Sequence, residues 1–302
     1  MLAFIAPGQG AQTPGMLTPW IKDLQALELL KVWSAEIDLD LVRLGTTAEA
    51  DEIKDTANAQ PLIVAAGLLG ARALSDSRFS VVAGHSVGEI TAAALAGVIS
   101  KIDAMKLVRV RGIEMAKAAA ISPAGMAAVL GGDRSVVLKA ISDLGLVAAN
   151  DNGAGQIVAA GDLDALAQLA PEGARVRALA VAGAFHTSYM QTAVEPLRTF
   201  ASQISVNASN CGVISNRDGA IKTDGREILD HIVAQISNPV RWDLCMATLA
   251  EVASGVIEVP PAGTLVGLLK RAVPIVETFA LKTPEDVTLA KEFSARHQDE
   301  KN

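Results

Sequence analysis

Short apolar runs, separated by turns that contain glycine and proline, recur along this chain and predict buried strands followed by helices. The run Leu2–Ala6 stops at Pro7-Gly8, so we expect a first strand that ends in a tight loop. Residues 79–83 are again apolar, a glycine-rich turn follows, and residues 89–99 predict a helix of small residues. A buried strand, a turn and a helix in this order form one βα step of a parallel α/β sheet.

The same pattern predicts further elements in the rest of the chain. Helices are expected over residues 22–37, 61–74, 102–120, 190–203, 226–236, 242–252 and 264–272, and strands over residues 213–215 and 256–259. Pro61 stands at the start of its predicted helix, where a proline fits the first turn. The charged stretch 292–302 predicts a frayed tail.

A different order of elements runs from residue 123 to residue 183. Predicted strands over 126–130, 146–149, 156–160 and 175–181 and predicted helices over 134–144 and 162–169 give the order β-α-β-β-α-β, which is that of a ferredoxin-like unit. We therefore predict an α/β fold with two parts. The first is a large α/β-hydrolase-like domain with a parallel sheet, residues 1–122 and 184–302, and the second is an inserted small ferredoxin-like α+β subdomain, residues 123–183.

Composition and charge narrow the class of protein. The chain has 302 residues and half of them are apolar, which is enough for a sizeable core. A net charge of −7 does not suit phosphate backbones, so we expect no nucleic-acid binding. The two cysteines, Cys211 and Cys245, lack metal-ligand spacing, so we expect no metal site and a reducing compartment.

The amino terminus and the longest uncharged stretch favour a cytoplasmic protein. The first apolar run lacks a basic flank and ends at Pro7, so it predicts a strand rather than a signal peptide. Residues 56–71 are interrupted by Asn58, Gln60 and Pro61, and the stretch is too short and too polar for a membrane span. We therefore expect a cytoplasmic protein that does not contact a membrane.

Residues 84–88, GHSVG, fit the pattern G-x-S-x-G of a nucleophile elbow. A strand-to-helix turn this sharp exposes the hydroxyl of Ser86 and tolerates only small residues two positions to either side. The N–H of Val87, at the start of the following helix, could then donate to an oxyanion. A second interpretation stays open, because Ser86 with Glu89 three residues later also matches a helix capping box.

Gln9 and His186 are the residues elsewhere in the chain that best complete such a site. Gln9 stands between two glycines after the first strand, where its backbone N–H could be a second oxyanion donor, although an ordinary glycine-rich turn would look the same. His186 follows an apolar run at a predicted strand end. Of the other histidines, His297 lies in the tail, His231 lies in a helix, and the side chain of His85 is expected to point to the side opposite the serine. By elimination, His186 is the best candidate for a general base.

Arg111 is a further candidate. Five of its six neighbours at three, four and seven positions along the predicted helix are apolar, so the guanidinium needs an anionic partner. That partner is either Glu114 on the same helix or the carboxylate of a substrate, gripped by two hydrogen bonds. Arg109 lies about 200° round the helix, so the two arginines cannot share one task.

Four short motifs follow one another along the chain: GQGAQ at 8–12, GHSVGE at 84–89, VRG at 110–112 and GAFH at 183–186. In this order and spacing they resemble the malonyl-CoA:acyl carrier protein transacylases, the acyltransferases of fatty-acid synthesis. The resemblance covers nearly the whole chain, including the predicted insertion and the stretch QISNPVRW at 235–242. It implies ping-pong transfer of a malonyl group from malonyl-CoA to the phosphopantetheine thiol of an acyl carrier protein, without a cofactor.

The resemblance implies roles for individual residues. Ser86 would be acylated and His186 would be its base. The backbone carbonyl of Gln235 would orient the histidine in place of an Asp. The backbone N–H groups of Gln9 and Val87 would bind the oxyanion.

Further residues would surround the acyl group. The resemblance implies that Arg111 binds the malonyl carboxylate, and Phe185 is typical of malonyl-selective relatives. Polar side chains at His85, Asn152 and Asn216 would line the site.

The partner implied by the resemblance is an acidic acyl carrier protein, and we expect the chain itself to be a monomer. Because the net charge is −7, docking of an acidic partner needs a local basic area. Lys270-Arg271 is a candidate for that area.

Two other functions stay open on the sequence. An α/β-hydrolase-type esterase shares G-x-S-x-G but needs an Asp or Glu between its serine and its histidine. Here the intervening acids fall mostly in the predicted insertion, for example Asp151, Asp162 and Asp164. An acyl-binding or scaffold subunit without catalysis would not need the full set of candidate residues.

Overall fold

The strands within residues 1–298 form two sheets. The computed structural model describes residues 1–298, and its architecture confirms the predicted α/β class. The strands are β1 (Leu2–Ala6), β2 (Val81–Gly84), β3 (Ala124–Gly131), β4 (Val147–Asp151), β5 (Gln156–Asp162), β6 (Ala174–Ala178), β7 (Gly212–Ile214), β8 (Ile221–Lys222), β9 (Val240–Arg241), β10 (Gly255–Glu258) and β11 (Glu277–Ala280). The larger sheet has the order β11-β10-β1-β2-β7-β8 and is parallel except for the short edge strand β8.

Helices connect the strands. They are α1 (Leu24–Ile37), α2 (Leu41–Thr46), α3 (Ala50–Lys54), α4 (Thr56–Ala73), α5 (Gly88–Leu95), α6 (Lys101–Ala119), α7 (Arg134–Asp143), α8 (Leu163–Gln168), α9 (Gln191–Ala201), α10 (Gly225–Gln235), α11 (Trp242–Val252), α12 (Thr264–Ala272) and α13 (Val287–His297). Short 3₁₀ turns cover Trp20–Lys22, Ser188–Met190 and Pro284–Asp286.

The larger sheet is apolar on both faces at its centre. Every residue of β1, β2 and β10 is buried, which is why these strands occur in the sequence as continuous apolar runs. Strands β1 and β2 pair in a register that places Ala6 opposite Gly84. The loops that follow the two strands therefore leave the sheet at the same edge, and this edge carries the candidate site.

The smaller sheet has the order β6-β3-β5-β4-β9. Its first four strands lie within residues 123–183, follow the expected order β-α-β-β-α-β and pair antiparallel. The fifth strand, β9, comes from outside this range and pairs in parallel with β4. Because the hydrogen bonds of this sheet cross the expected boundary, the limits of the insertion at residues 123 and 183 stay a prediction.

Several short or terminal elements differ from the expected ones. Sequence patterns miss α2, α3, β8, β9 and β11, which are too short to show a clear period. The predicted fraying is wrong for residues 292–297, because α13 runs to His297 and buries Ala290 and Phe293. Residues 299–302 of the predicted tail lie outside the described residues.

Pro61 lies inside α4 and not in its first turn, since the helix already begins at Thr56. A proline within a helix has no N–H for the carbonyl four residues earlier, which here is that of Ala57. The guanidinium of Arg109 on α6 donates to this carbonyl at 2.9 Å. Arg109 thus replaces the missing intrahelical hydrogen bond, and this explains a polar side chain between two packed helices.

We expect Arg109→Ala to lower the free energy of unfolding by about 1–2 kcal/mol, because it leaves a partly buried carbonyl unpaired. The double variant Pro61→Ala/Arg109→Ala restores an N–H donor within the helix and should recover most of that loss. Urea unfolding followed by circular dichroism gives both values. Equal losses in the single and the double variant would show that the carbonyl does not depend on Arg109.

Candidate active site

Ser86 lies in a sharp turn between β2 and α5. Its φ of +54° falls in the left-handed region, which residues other than glycine seldom adopt. A Cβ on Gly84 would lie 2.0 Å from the backbone of Gly88, and a Cβ on Gly88 would lie 2.2 Å from the carbonyl oxygen of Ala6. Only glycine fits at both positions, so the G-x-S-x-G spacing is a steric requirement of this turn.

Ser86, His186 and Gln235 form a chain of hydrogen bonds. Oγ of Ser86 lies 2.7 Å from Nε2 of His186, and Nδ1 of His186 lies 2.8 Å from the backbone carbonyl of Gln235. Because a carbonyl can only accept, Nδ1 carries the proton and Nε2 presents its lone pair to the serine hydroxyl. The arrangement suits removal of the hydroxyl proton by His186.

The imidazole of His186 is neutral at physiological pH. The residue is 3% exposed, and its burial, together with the charge of Arg111, lowers the pKa of the imidazole to about 3. A neutral ring beside a serine hydroxyl is able to accept its proton.

The capping-box interpretation of Ser86 and Glu89 is wrong. Within residues 1–298, the N-cap residue of α5 is Val87, and it makes no side-chain capping hydrogen bond. The Ser86 hydroxyl faces His186 instead. The carboxylate of Glu89 accepts hydrogen bonds from the backbone N–H of Asn216 at 2.6 Å and from Nε2 of Gln235 at 2.5 Å.

Two backbone N–H groups at this edge, those of Gln9 and Val87, have no hydrogen-bond partner within residues 1–298. Val87 follows Ser86 directly, and Gln9 lines the same cavity as Ser86. The loop of Gln9 approaches the turn closely, since a Cβ on Gly8 would lie 2.8 Å from Nδ1 of His85. Both N–H groups are available to a negatively charged oxygen beside Ser86.

The guanidinium of Arg111 is buried next to Ser86. Nη1 donates to Oε1 of Gln60 at 2.7 Å, and Nη2 donates to Oε1 of Gln235 at 2.8 Å and to Oγ of Ser86 at 3.4 Å. Nε has no partner among the described residues. Burial lowers the pKa of the guanidinium to about 10, which leaves it charged at neutral pH.

Arg111 does not pair with Glu114, the partner that helical spacing offered. Glu114 forms an ion pair with Lys117 at 2.7 Å. The side-chain acceptors of Arg111 are the neutral amides of Gln60 and Gln235 and a hydroxyl. A charged, buried donor with neutral acceptors is suited to bind a carboxylate that enters the site.

A cavity of about 370 Å³ opens over Ser86 and His186, and it is lined by the loops that follow β1 and β2 of the larger sheet and by strands β3, β4 and β5 of the smaller sheet. His85, Asn152 and Phe185 are also part of its lining. Nε2 of His85 lies 2.8 Å from Oδ1 of Asn152. The expectation that the side chain of His85 points away from the site is therefore wrong.

Asn216 supports the turn from outside the cavity lining. Its Oδ1 accepts from the backbone N–H of Ser86 at 2.8 Å, and its Nδ2 donates to the carbonyl of Gly84 at 2.7 Å. The side chain is fully buried. The sequence places Asn216 near the site, but its contacts are with the backbone of the turn rather than with the cavity.

No sequence pattern predicts that the side chains of Gln60 and Gln235 belong to the site, although both accept hydrogen bonds from Arg111. The sequence shows Gln60 only as a polar interruption of an apolar stretch, whereas the amide is buried and accepts from Arg111. An amide on a helix that is otherwise buried and apolar needs a hydrogen-bond partner in the core, and this is the signal that could have identified it.

The acids of the predicted insertion do not complete a triad with His186. Asp151 pairs with an arginine of α7 at 2.6 Å, and Asp162 and Asp164 lie at the start of α8, where Asp162 caps the helix. The nitrogen of His186 that an Asp would contact faces the carbonyl of Gln235. The esterase alternative therefore lacks its third member.

Residues 1–298 contain no group of three or more His, Cys, Asp or Glu side chains that could hold a metal ion. None of the helices in this part of the chain combines the length and the apolar character that crossing a membrane requires.

The chain is similar to known proteins over most of its length. Residues 3–289 match the family model described as an acyl transferase domain. The malonyl CoA-acyl carrier protein transacylase of Mycobacterium tuberculosis is 51% identical over 296 residues, which cover 95% of this chain and 98% of that protein. The crystal structure of MCAT from Mycobacterium tuberculosis matches with a TM-score of 0.93 at 50% identity and covers 96% of this chain and 99% of that one. A malonyl-transacylase solved in complex with its type II PKS acyl-carrier protein matches with a TM-score of 0.90 at 28% identity, covering 96% and 99% of the two chains.

Proposed function

The chain belongs to the acyl transferase family and is an acyltransferase, and we propose that it moves a malonyl group from malonyl-CoA to the phosphopantetheine thiol of an acyl carrier protein. One observation carries the proposal: Oγ of Ser86 lies 2.7 Å from a neutral histidine and 3.4 Å from a buried guanidinium. The histidine supplies the base, and the guanidinium supplies a site for the carboxylate that distinguishes malonyl from acetyl. The reaction would provide extender units for fatty-acid synthesis.

In the first half-reaction, Oγ of Ser86 attacks the thioester carbonyl while Nε2 of His186 takes the hydroxyl proton. The carbonyl of Gln235 keeps the imidazole in the required tautomer. The N–H groups of Gln9 and Val87 bind the oxyanion, and loss of one such donor costs about 3–4 kcal/mol. The C–S bond then breaks, the CoA sulfur receives the proton from His186, and the malonyl ester remains.

In the second half-reaction, the phosphopantetheine thiol of the carrier protein attacks the ester on Ser86. His186 takes the thiol proton and returns it to Oγ as the C–O bond breaks. Acid–base chemistry and the two N–H donors account for each step, so the proposed reaction uses no cofactor. We further propose that the enzyme acts as a monomer in the cytoplasm.

Selectivity for malonyl is assigned to Arg111 and Phe185. In a malonyl ester, one CH₂ group separates the carboxylate from the ester carbonyl. Because Nη2 of Arg111 already contacts Oγ of Ser86, which is the atom that is acylated, this carboxylate lies within reach of the guanidinium. Phe185 is 5% exposed, lines the cavity and precedes His186. Its ring reduces the space for a branched acyl group such as methylmalonyl.

The carrier protein is proposed to dock beside this cavity. Arg271 in the last turn of α12 and Arg175 of β6 line a second, open cavity, and Gln156 lines both cavities. Lys270 precedes Arg271 in the same turn. None of these cations has an ion-pair partner within the described residues, so they can attract an acidic partner.

Incubation of the protein with malonyl-CoA should add one malonyl group, and intact mass measurement detects it. Ser86→Ala should form no adduct because the acyl acceptor is missing. His186→Ala should slow adduct formation by about 100- to 10,000-fold, which is the usual contribution of a general base. A folded wild-type protein without an adduct would contradict the proposed function.

The same assay separates the alternative functions. A scaffold subunit forms no adduct, and an esterase releases malonate faster than it acylates a carrier protein. Asp151→Asn is a matched control that should acylate at the wild-type rate, whereas a loss of about 10⁴-fold would favour a triad that contains this acid.

Arg111→Ala should reduce acylation by malonyl-CoA by about 100-fold or more, because a buried charge pair with the carboxylate is lost. Acylation by acetyl-CoA should change much less, so the ratio of the two kcat/KM values is the measurement. Arg111→Lys keeps the charge and should retain part of the preference. If both substrates lose the same factor, Arg111 has only a structural role.

Charge reversal of Lys270 and Arg271 to Glu should raise KM for the carrier protein about tenfold and leave acylation by malonyl-CoA unchanged. Steady-state transfer at several salt concentrations measures the effect, which should shrink as salt screens the charges. The same reversal at Lys139, which is paired within α7, is the control. An unchanged KM would remove this docking surface.

A further inference from the structure

A second buried ionisable group belongs to the same network as Arg111 but takes no part in the proposed steps. Glu89 is 3% exposed and is not among the residues that line the cavity over Ser86. One carboxylate oxygen accepts from the backbone N–H of Asn216 at 2.6 Å, and the other accepts from Nε2 of Gln235 at 2.5 Å. These two hydrogen bonds hold the side chain in one place.

The amide of Gln235 connects Glu89 to Arg111. Its oxygen accepts from Nη2 of Arg111 at 2.8 Å, and its nitrogen donates to Glu89. A flipped amide would turn NH₂ towards the guanidinium and oxygen towards the carboxylate, and both contacts would become repulsive. The carbonyl of Ser86 and Oδ1 of Asn216 also accept from this amide nitrogen, at 3.1 Å each. Together with these two acceptors, the carboxyl group of Glu89 keeps the amide oxygen directed at Arg111.

When Glu89 is ionised, the charges of this network balance only while the site is empty. Arg111 and ionised Glu89 are both buried and together have no net charge. A malonyl carboxylate on Arg111 would add a negative charge, and an uncompensated charge away from water is costly. One proton on Glu89 would restore the balance.

We propose that Glu89 is a positioning residue for carboxylated acyl groups, and this proposal rests on the proposed function. It orients the Gln235 amide towards Arg111, and in its ionised form it takes up one proton when a malonyl carboxylate binds there. The proton comes from water, and no covalent bond to carbon changes in this step.

A small cavity of about 10 Å³ gives Glu89 a second set of neighbours, among them Ser215, Lys222 and His231. The charged and titratable groups that face Glu89 are Arg111 of α6, Asp218 after β7, Lys222 of β8, His231 of α10 and Cys245 of α11. The pKa of the Lys222 ammonium is raised by Glu227, that of the Cys245 thiol is raised by burial, and that of the His231 imidazole is lowered by burial. These shifts move the pKa values of all three groups further away from 8.

Burial raises the pKa of Glu89 to about 8, against the opposing effects of its hydrogen bond with Asn216 and the charge of Arg111. A bound malonyl carboxylate is a further negative charge and raises this pKa again. By reciprocity, ionised Glu89 weakens malonyl binding by the same factor, about tenfold for each pKa unit. Malonyl binding should therefore be strongest below pH 8 and weaken above it, whereas acetyl binding should not change.

Calorimetric titration of the Ser86→Ala enzyme with malonyl-CoA and with acetyl-CoA, from pH 7 to pH 9.5, tests the proposal. The two ligands share every titratable group except the malonyl carboxylate. Measurements in two buffers of different ionisation enthalpy should show uptake of up to one proton with malonyl-CoA above pH 8 and none with acetyl-CoA. The Kd for malonyl-CoA should rise about tenfold over this range. No proton uptake at any of these pH values would overturn the proposal.

Two further variants in the Ser86→Ala background identify the group that takes the proton. Glu89→Gln cannot titrate, so proton uptake should disappear and the Kd for malonyl-CoA should become independent of pH. Glu114→Gln is the matched control, since Glu114 lies on α6 and pairs with Lys117 rather than with Arg111, and it should behave like its parent. Uptake that persists in Glu89→Gln would place the proton elsewhere and overturn the proposal.

Two measurements on the wild-type enzyme keep this proposal separate from the proposed function. The ratio of malonyl to acetyl acylation rates should fall between pH 7.5 and pH 9.5. A wild-type protein that forms the malonyl adduct with a ratio independent of pH would overturn the role of Glu89 and leave the proposed function standing. Absence of the adduct would overturn the proposed function itself.

Discussion

Gln235 is the residue on which the charged and reactive groups of the site depend. Its backbone carbonyl accepts from His186, its amide oxygen accepts from Arg111, and its amide nitrogen donates to Glu89. It is the last residue of α10, where backbone carbonyls lack partners within the helix. The carbonyl oxygen of Gln235 has two lone pairs. One accepts from the backbone N–H of Asn238, and the other accepts from Nδ1 of His186. The end of a helix thus fixes the tautomer of the base.

His186 donates to an uncharged carbonyl and not to a carboxylate, and this affects the pKa of its imidazole. A carboxylate in this position would raise the pKa of the imidazole, whereas burial and Arg111 lower the pKa of His186 to about 3. A neutral base can therefore stand next to a guanidinium. A carboxylate would also attract Arg111 and compete with a carboxylated substrate. The carbonyl of Gln235 orients the ring without adding that competition.

The turn at Ser86 needs support because its backbone is strained. Ser86 and His186 both have positive φ values, which cost on the order of 1–3 kcal/mol each. Glycines at 84 and 88 allow the turn to pack, and Asn216 bonds to backbone groups on both sides of it. In this backbone conformation the hydroxyl of Ser86 faces the imidazole of His186 and not the amino-terminal end of α5.

Local sequence patterns were enough to predict the strand–turn–helix segments, the α/β class and the position of the serine in its turn. These features depend on local patterns, namely apolar runs and glycines at fixed spacing, which do not require knowledge of distant neighbours. The sequence left two partners open for Arg111, because Glu114 one helical turn away was as good a partner by spacing as a ligand. Packing decided that choice: the guanidinium bonds to Gln60 and Gln235, which are 51 and 124 positions away. The link from Gln235 to Glu89 spans 146 positions, and it forms only when α5 and α10 meet in the folded chain.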